Sequence, residues 1–259
     1  MMTNSQNNNL REITEKIVIA TTTFYNPNNS SDNYRSNLAK KTIKNATDLG
    51  YKIIVVDGGS SEKILREFEK YGAQIYSQTS NGMGNSRRQA ITEAYSSGKE
   101  IIAWMEPEKN NYINKIIDTA IPILNNSAEI VIPKRKSLKS YPLYQQYAER
   151  FGNEFWKELT GTNLDMWFGP RTWRKESSNY FLNNSSTNNN CWDSIFIPIM
   201  NAIIDNKKVI SVEIDYTHPK KQTELEEHNL IFYKKRLEQL ENLIPALETY
   251  WNKSYNKLI

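Results

Sequence analysis

The sequence contains one cysteine, Cys191, and two histidines, His218 and His228, in 259 residues. A single cysteine excludes an internal disulfide framework and a metal site built from several thiolates, and it is typical of proteins from a reducing compartment. Neither histidine lies in an H-E-x-x-H pattern or beside a G-x-S-x-G nucleophile elbow. The patterns of the common zinc peptidases and serine hydrolases are therefore missing.

Long apolar runs are missing as well. No window approaches the roughly 20 apolar residues that a membrane-spanning helix needs. The first ten residues are polar and lack the apolar core of a secretory signal. Together with the single cysteine, these observations predict a cytoplasmic protein without a transmembrane segment.

The chain has no strong excess of charge. Its 33 lysines and arginines and 29 aspartates and glutamates give a formal net charge of +4. This mild excess suits anionic small molecules, and we expect no nucleic acid partner. Two nucleotide-binding patterns are also absent, because the first predicted strand is not followed by G-x-G-x-x-G and no G-x-x-x-x-G-K-[ST] occurs.

Apolar runs and amphipathic helical patterns alternate along the first 110 residues. Strands are predicted at 16–24, 51–57 and 74–77, with a fourth ending at Glu106, and helices at 33–49, 62–71 and 85–97. Near-continuous apolar strands joined by helices indicate an α/β fold with a mostly parallel sheet and helices on both faces. In such sheets the ligand lies beyond the carboxyl ends of the strands.

The second half of the chain is less regular. A helix is predicted at 112–124, a strand at 129–133, an aromatic helix from Tyr144, a loop at 161–174, a helix at 192–206 and a strand at 208–216. From Glu224 to Trp251 the pattern is helical and interrupted at Pro245, which predicts either a packing helix pair or a homo-oligomer contact. Residues 1–15 are expected to be flexible or peripheral.

Two acids, Glu106 and Glu108, follow the apolar run 101–105 and are separated by Pro107. Alternation in an extended chain places both carboxylates on the same side of the strand's end. Two hard oxygen donors at a stiff corner suit a divalent cation that bridges phosphates, and the alternative is a solvated acidic turn. The glycines around Gly84 precede a helix, whose first N–H groups favour an anion.

Four motifs in a fixed order carry a family resemblance. They are I-I-V-V-D-G-G-S-S-E at 53–62, G-M-G-N-S-R-R-Q-A-I at 82–91, the segment 98–109 with its two acids, and C-W-D at 191–193. From about Lys16 to His218 the chain resembles the GT-A glycosyltransferases, in particular the family-two-like enzymes that use nucleotide-diphosphate sugars. The resemblance implies a GT-A (Rossmann-like) catalytic domain at 16–222, with a nucleotide-sugar-binding half at 16–110 and an acceptor half at 111–222, followed by a C-terminal helical extension at 223–259.

The resemblance also implies roles for individual residues in the transfer of a sugar from a nucleotide-diphosphate-sugar to a hydroxyl acceptor. Glu108 and His218 would hold Mg²⁺ or Mn²⁺, and Asp193 would be the general base. Glu106 would act through the ribose or water, and Gly169, Pro170 and Arg171 would shape the acceptor side. The remaining donor-binding residues are Thr22, Phe24, Tyr25, Asp57, Gly84 and Arg87.

Several of these residues also have a simpler structural explanation. Asp57 suits the cap of a turn, Arg87 a surface ion pair, Asp193 the first turn of a helix and His218 an ordinary loop. The family's paired aspartates are glutamates here, and longer side chains change the distance to a metal. A GT-A-like domain that binds nucleotides without catalysis is therefore the alternative, and a sugar nucleotidyltransferase is disfavoured because no G-x-G-T-R-L follows the first strand.

Overall fold

The structure is a computed structural model and describes residues 10–26, 28–183 and 191–255. Residues 1–9 of the N-terminal segment expected to be flexible lie outside the described residues. Residues 10–14 form a helical turn in which the Thr14 hydroxyl donates to the Leu49 carbonyl at 2.7 Å. Among the described helices, none combines the length and hydrophobicity of a membrane-spanning segment.

Seven strands form one mixed sheet in the order β3-β2-β1-β4-β6-β5-β7. The strands β3, β2, β1 and β4 run parallel to one another, β7 is parallel to β5, and β6 is antiparallel to both of its neighbours. Their bounds are β1 Ile17–Thr23, β2 Lys52–Asp57, β3 Gln74–Ser77, β4 Ile101–Trp104, β5 Ile130–Arg135, β6 Arg171–Arg174 and β7 Val209–Ile214.

Helices connect the strands and extend the chain beyond the sheet. They are α1 Ser30–Asp48, α2 Glu62–Lys70, α3 Met83–Ser96, α4 Ile116–Leu124, α5 Leu143–Thr160, α6 Asn179–Leu182, α7 Ile197–Ile204, α8 Lys220–Glu226 and α9 Leu230–Tyr255. Short 3-10 turns occur at Asn110–Lys115, Met166–Phe168, Lys175–Ser178 and Trp192–Ile195.

The apolar strands bury both of their faces. In β1, Ile17 and Ile19 face one core with Ile43 of α1 and Ile116 of α4, whereas the neighbouring Val18 faces the other. This alternation follows from the two-residue period of a strand. The predicted α/β sheet with helices on both faces is confirmed.

The C-terminal extension packs onto the second core through α9. Leu243 and Leu247 are fully or almost fully buried there, and the Tyr250 hydroxyl donates to Asn201 Oδ1 of α7 at 2.8 Å. The helix continues through Pro245, where the sequence predicted an interruption. The exposed side of the extension still allows the homo-oligomer contact, which stays a prediction.

The prediction of a loop at 161–174 is wrong for its last four residues, because these form β6 inside the sheet. Arg171 is fully buried and its guanidinium donates to the carbonyls of Pro170 and Met166, at 2.8 and 2.6 Å. These bonds partner two nitrogens of a group that normally keeps an arginine at the surface, whereas the buried Nε has no partner among the described residues. The helix predicted at 192–206 is likewise divided into a 3-10 turn and α7.

Helix α5 approaches the Trp167 ring at Gly152, where any side chain would overlap the indole. We expect Gly152→Ala to lower the free energy of unfolding by at least about 1 kcal/mol, because overpacking outweighs the gain in helix propensity. Thermal and urea unfolding measure this loss. Glu154→Ala, at an exposed position of the same helix, is the matched control. Equal stability of the two variants would contradict this packing.

Candidate active site at the carboxyl edge of the sheet

A cavity of about 260 Å³ opens at the carboxyl ends of β1 and β4. Its walls come from residues on both sides of position 110 and include α8 and α9. The predicted site residues that line it are Thr22, Phe24, Tyr25, Arg87, Glu106, Glu108, Gly169 and His218. Five others do not line it, namely Asp57, Gly84, Pro170, Arg171 and Asp193. The structure therefore brings most of the candidate residues together around one space.

Glu108 is buried and has two strong partners. Its Oε1 accepts a hydrogen bond from the Tyr25 hydroxyl at 2.9 Å and lies 2.7 Å from Nη2 of Arg35. Arg35 is held on α1 by Asp32 at 3.1 Å, in a helix that begins with Asn29 as its N-cap. The Glu108 carboxylate raises the pKa of Arg35 above its ordinary value. The negative charge of Glu108 is thus already neutralised by Arg35.

Glu106 differs from Glu108 in its surroundings. Its Oε2 is buried and accepts no hydrogen bond from the described residues, and the nearest cation is Lys109, with Nζ at 3.8 Å. Its carboxylate lies against Gly169, where a side chain would overlap it, and Gly169 has φ +100°. Because β4 ends at Trp104, both acids lie in a turn and the alternation of a strand does not orient them. Glu106 is the acid with free hydrogen-bonding capacity.

Lys109 places an ammonium group on the cavity floor. Its Nζ lies 4.8 Å from the centroid of the Phe168 ring. Burial alone would lower its pKa, but the neighbouring Tyr141 hydroxyl and Glu106 carboxylate raise the pKa above the ordinary value. A buried cation next to a carboxylate with an unpartnered oxygen is suited to bind a phosphate or a hydroxyl group.

His218 lies across the cavity and stacks on Tyr141, with ring centroids 4.3 Å apart. Its Nε2 is 3.7 Å from Oε2 of Glu226, and neither ring nitrogen has a hydrogen-bond partner among the described residues. Burial lowers the pKa of the imidazole, which favours the neutral form that binds metals.

The predicted metal ligands fit a divalent cation only in part. No group of three or more His, Cys, Asp or Glu side chains with metal-binding geometry occurs in the part of the chain that the structure describes. Glu106 and His218 offer unpartnered donor atoms, whereas Glu108 is occupied by Arg35. Mg²⁺ and Mn²⁺ take about six ligands, so a cation here needs further oxygens from a bound phosphate or water.

Asp57 caps the turn after β2. Its Oδ2 accepts from the backbone N–H groups of Gly59 and Ser60 at 2.8 and 2.7 Å, and its Oδ1 accepts from the hydroxyls of Thr23 and Ser60, each at 2.6 Å. These bonds fix the ends of β1 and β2 relative to each other. Asp57 therefore shapes the loop that carries Phe24 and Tyr25.

Arg87, which lines the cavity, and Asp193, which does not, both bond to the backbone of Cys191. The Arg87 Nη1 donates to the Cys191 carbonyl at 2.8 Å and to the Ser194 hydroxyl at 3.0 Å, and its buried Nε has no partner among the described residues. Burial lowers the pKa of Arg87. The buried Asp193 accepts from the Cys191 N–H at 2.9 Å. Arg87 thus connects α3, where Gly84 is buried in the first turn, to the turn Trp192–Ile195.

Several residues of the cavity had no signal in the sequence. They are Arg35, Lys109, Gln145, Glu149, Glu226, Lys235 and Arg236. Charged and amide side chains on helices normally face water, so periodicity assigns them to the surface. Glu149 shows why this fails, because it is almost fully buried beside Arg135, which lies 2.7 Å away.

Comparisons with known proteins agree with this geometry. The search of curated protein sequences found no match. Glucosyl-3-phosphoglycerate synthase from Mycobacterium tuberculosis, in complex with Mn²⁺, uridine diphosphate and glucosyl-3-phosphoglycerate, superposes with a TM-score of 0.66 at 11% identity, covering 97% of this chain and 86% of that one. A second structure of that synthase gives 0.65 at 12% identity, with coverages of 94% and 84%. At these identities the likeness shows the fold alone, and it confirms the predicted GT-A fold.

The family follows from the sequence itself. The pattern that defines glycosyl transferase family 2 matches residues 24–168, more than half of the chain. This stretch begins directly after β1 and includes the turn at 106–109, which we call the acidic turn, and Phe168 on the cavity floor. The chain belongs to glycosyl transferase family 2.

Proposed function

We propose that the protein transfers a sugar from a nucleotide-diphosphate-sugar to a hydroxyl group of an acceptor. The observation that carries the proposal is Glu106, a carboxylate with a buried unpartnered oxygen, on the wall of a cavity that also holds Lys109 and Arg87. Membership of the family supports it, and so do the uridine diphosphate and UDP-glucose complexes of the similar synthase.

The donor side of this proposal is the end of β1 with α3. Phe24 is 63% exposed at the cavity rim, so the face of its ring is free to stack on a nucleotide base. Thr22 and Tyr25 flank it, and Arg87 would face the diphosphate across the cavity. The negative charge that develops on a leaving diphosphate is stabilised by such fixed cations.

We also propose a divalent cation, Mg²⁺ or Mn²⁺, held by His218 and the acidic turn together with diphosphate oxygens. When bound, the cation neutralises charge on the leaving group. Glu108 would contribute through its second oxygen, since Oε1 is taken by Arg35 and Tyr25, whereas Glu106 has a free oxygen. Structures of the similar synthase contain Mn²⁺ or Mg²⁺ with uridine diphosphate, which supports this assignment.

Asp193 remains our proposed general base for the acceptor hydroxyl. In the free protein its carboxylate bonds to the Cys191 N–H and does not line the cavity. Two other carboxylates, Glu149 and Glu226, line the cavity. The cytoplasmic location and the homo-oligomer contact through the C-terminal helices also remain proposals.

A domain that binds nucleotides without catalysis is favoured by one observation, the neutralised state of Glu108. Donor hydrolysis distinguishes the two functions, because only an enzyme releases the nucleoside diphosphate.

The first prediction of the proposed function concerns Glu106. We expect a panel of nucleotide-sugars, assayed with Mn²⁺, to include one that the protein hydrolyses or transfers, and Glu106→Gln to lower that turnover about a hundredfold or more. Release of the nucleoside diphosphate measures it. Glu154→Gln on the exposed side of α5 is the control. Binding of a nucleotide without turnover of any donor would favour the non-catalytic function.

A second prediction follows from the incomplete metal site. Titration calorimetry should find weak binding of Mn²⁺ to the free protein and at least about tenfold tighter binding once uridine diphosphate is present, because the diphosphate completes the ligand set. His218→Ala should remove this enhancement. Tight binding of Mn²⁺ without nucleotide would contradict the incomplete site.

A third prediction uses two glycines with positive φ. Gly169→Ala should weaken binding of uridine diphosphate about tenfold or more, because the new methyl group displaces the Glu106 carboxylate. Gly161, with φ +71° and no atom within 4 Å of an added Cβ, provides the matched control for backbone strain. Equal affinities of the two alanine variants would show that Gly169 does not position Glu106.

A further inference from the structure

One wall of the cavity is a helix that lies outside the segment matched by the family pattern. Helix α9 lines it with Phe232, Lys235, Arg236 and Gln239, whereas the family pattern ends at residue 168. These four positions correspond to i, i+3, i+4 and i+7, so they form one face of the helix. Farther along, Leu243 and Leu247 anchor α9 in the core. Its first turns are therefore held over the cavity as a fixed wall.

The cavity wall formed by α9 together with α5 and α8 is polar, and its side chains form hydrogen bonds with one another. Gln145 donates to Glu149 at 2.7 Å, Gln222 donates to Glu226 at 2.8 Å, and Arg236 donates to Gln239 at 2.7 Å. Paired amides and charges bind hydroxyl-bearing and charged molecules better than acyl chains. The acceptor side of the cavity is thus built for a small polar molecule.

Lys235 differs from the other lysines and arginines of the described residues that line the cavity, because Arg87 donates hydrogen bonds to Cys191 and Ser194 and the others have carboxylate neighbours. Arg35 pairs with Glu108 at 2.7 Å, Lys109 lies 3.8 Å from Glu106, and Arg236 lies 4.0 Å from Glu149. Lys235 lines the cavity, is exposed to solvent, and forms no salt bridge with any residue that the structure describes.

The neighbours of Lys235 disfavour its charged form. Burial of its ammonium end against the cavity wall, and then the positive charges of Arg35 and Arg236, lower the pKa of this group, and the carboxylates of Glu108 and Glu226 offset this only in part. Like charges held together at a concave surface repel one another and attract a mobile anion. An anionic group bound there would remove this repulsion.

We propose that the first turns of α9 form the acceptor subsite and that Lys235, flanked by Arg35 and Arg236, binds a carboxylate or phosphate of the acceptor. The acceptor is then a small hydroxy acid or its phosphate ester rather than a neutral polyol or a lipid. This inference rests on the proposed function, since it names the molecule that receives the sugar.

Matched pairs of acceptors test the inference in the wild-type protein. Once hydrolysis has identified the donor, transfer is measured to three sets of acceptors, each with a neutral member. Glyceric acid and phosphoglyceric acid are compared with glycerol, gluconic acid with sorbitol, and glucuronic acid with glucose. We expect at least one acid to be used about tenfold or more efficiently, by kcat/KM, than its neutral counterpart. Phosphoglyceric acid against glyceric acid distinguishes a phosphate from a carboxylate. Equal or better use of the neutral molecules, or transfer to none of the acids, would overturn the inference.

Substitution of each of two neighbouring lysines then tests whether Lys235 is the residue that binds the acidic group. Lys235→Gln should raise the KM for the acidic acceptor about tenfold or more and leave donor hydrolysis and the affinity for uridine diphosphate unchanged. Lys234→Gln, at the adjacent exposed position, should change none of these values. An unchanged KM for the acid in Lys235→Gln, or a loss of donor affinity instead, would contradict the assignment. Absence of donor hydrolysis in the wild-type protein would instead refute the proposed function.

Discussion

The ion pair between Arg35 and Glu108, at 2.7 Å, is the contact on which the geometry of the site depends. It joins α1 to the turn after β4, and the Tyr25 hydroxyl ties the end of β1 to the same carboxylate at 2.9 Å. Three segments far apart in the sequence are thereby fixed at one edge of the sheet. A buried charge needs such partners, because removal of either one leaves an uncompensated ion.

This pair also separates the two acids by function. Glu108 is satisfied by the protein, and Glu106, two residues earlier, keeps an unpartnered oxygen beside Lys109 and Gly169. The two carboxylates belong to one short motif, yet their environments give one a structural contact and leave the other free for a ligand. The cations that surround them come from α1, the acidic turn and α9, so the charge of the cavity depends on the whole chain.

The sequence allowed the sheet, its helices and part of the cavity wall to be predicted, because buried parallel strands are continuous apolar runs and their ends carry polar residues. It did not reveal β6, since Arg171 is a charged residue whose guanidinium bonds to backbone carbonyls that no local pattern indicates. Arg35 and Lys235 were missed for a related reason, as helical cations are ordinarily solvated. The contacts show the cap formed by Asp57, which was one of two alternatives, and the donor-binding role of Asp57 stays a prediction.

The most direct measurement is a crystal structure of the protein with uridine diphosphate and Mn²⁺. The account predicts the diphosphate in the cavity between Arg87 and the acidic turn, with the cation bound by His218 and a glutamate of that turn, and the Arg35–Glu108 pair intact. Nucleotide bound elsewhere on the surface, or a cavity in which Arg35 has left Glu108 and Glu106 faces bulk solvent, would contradict it.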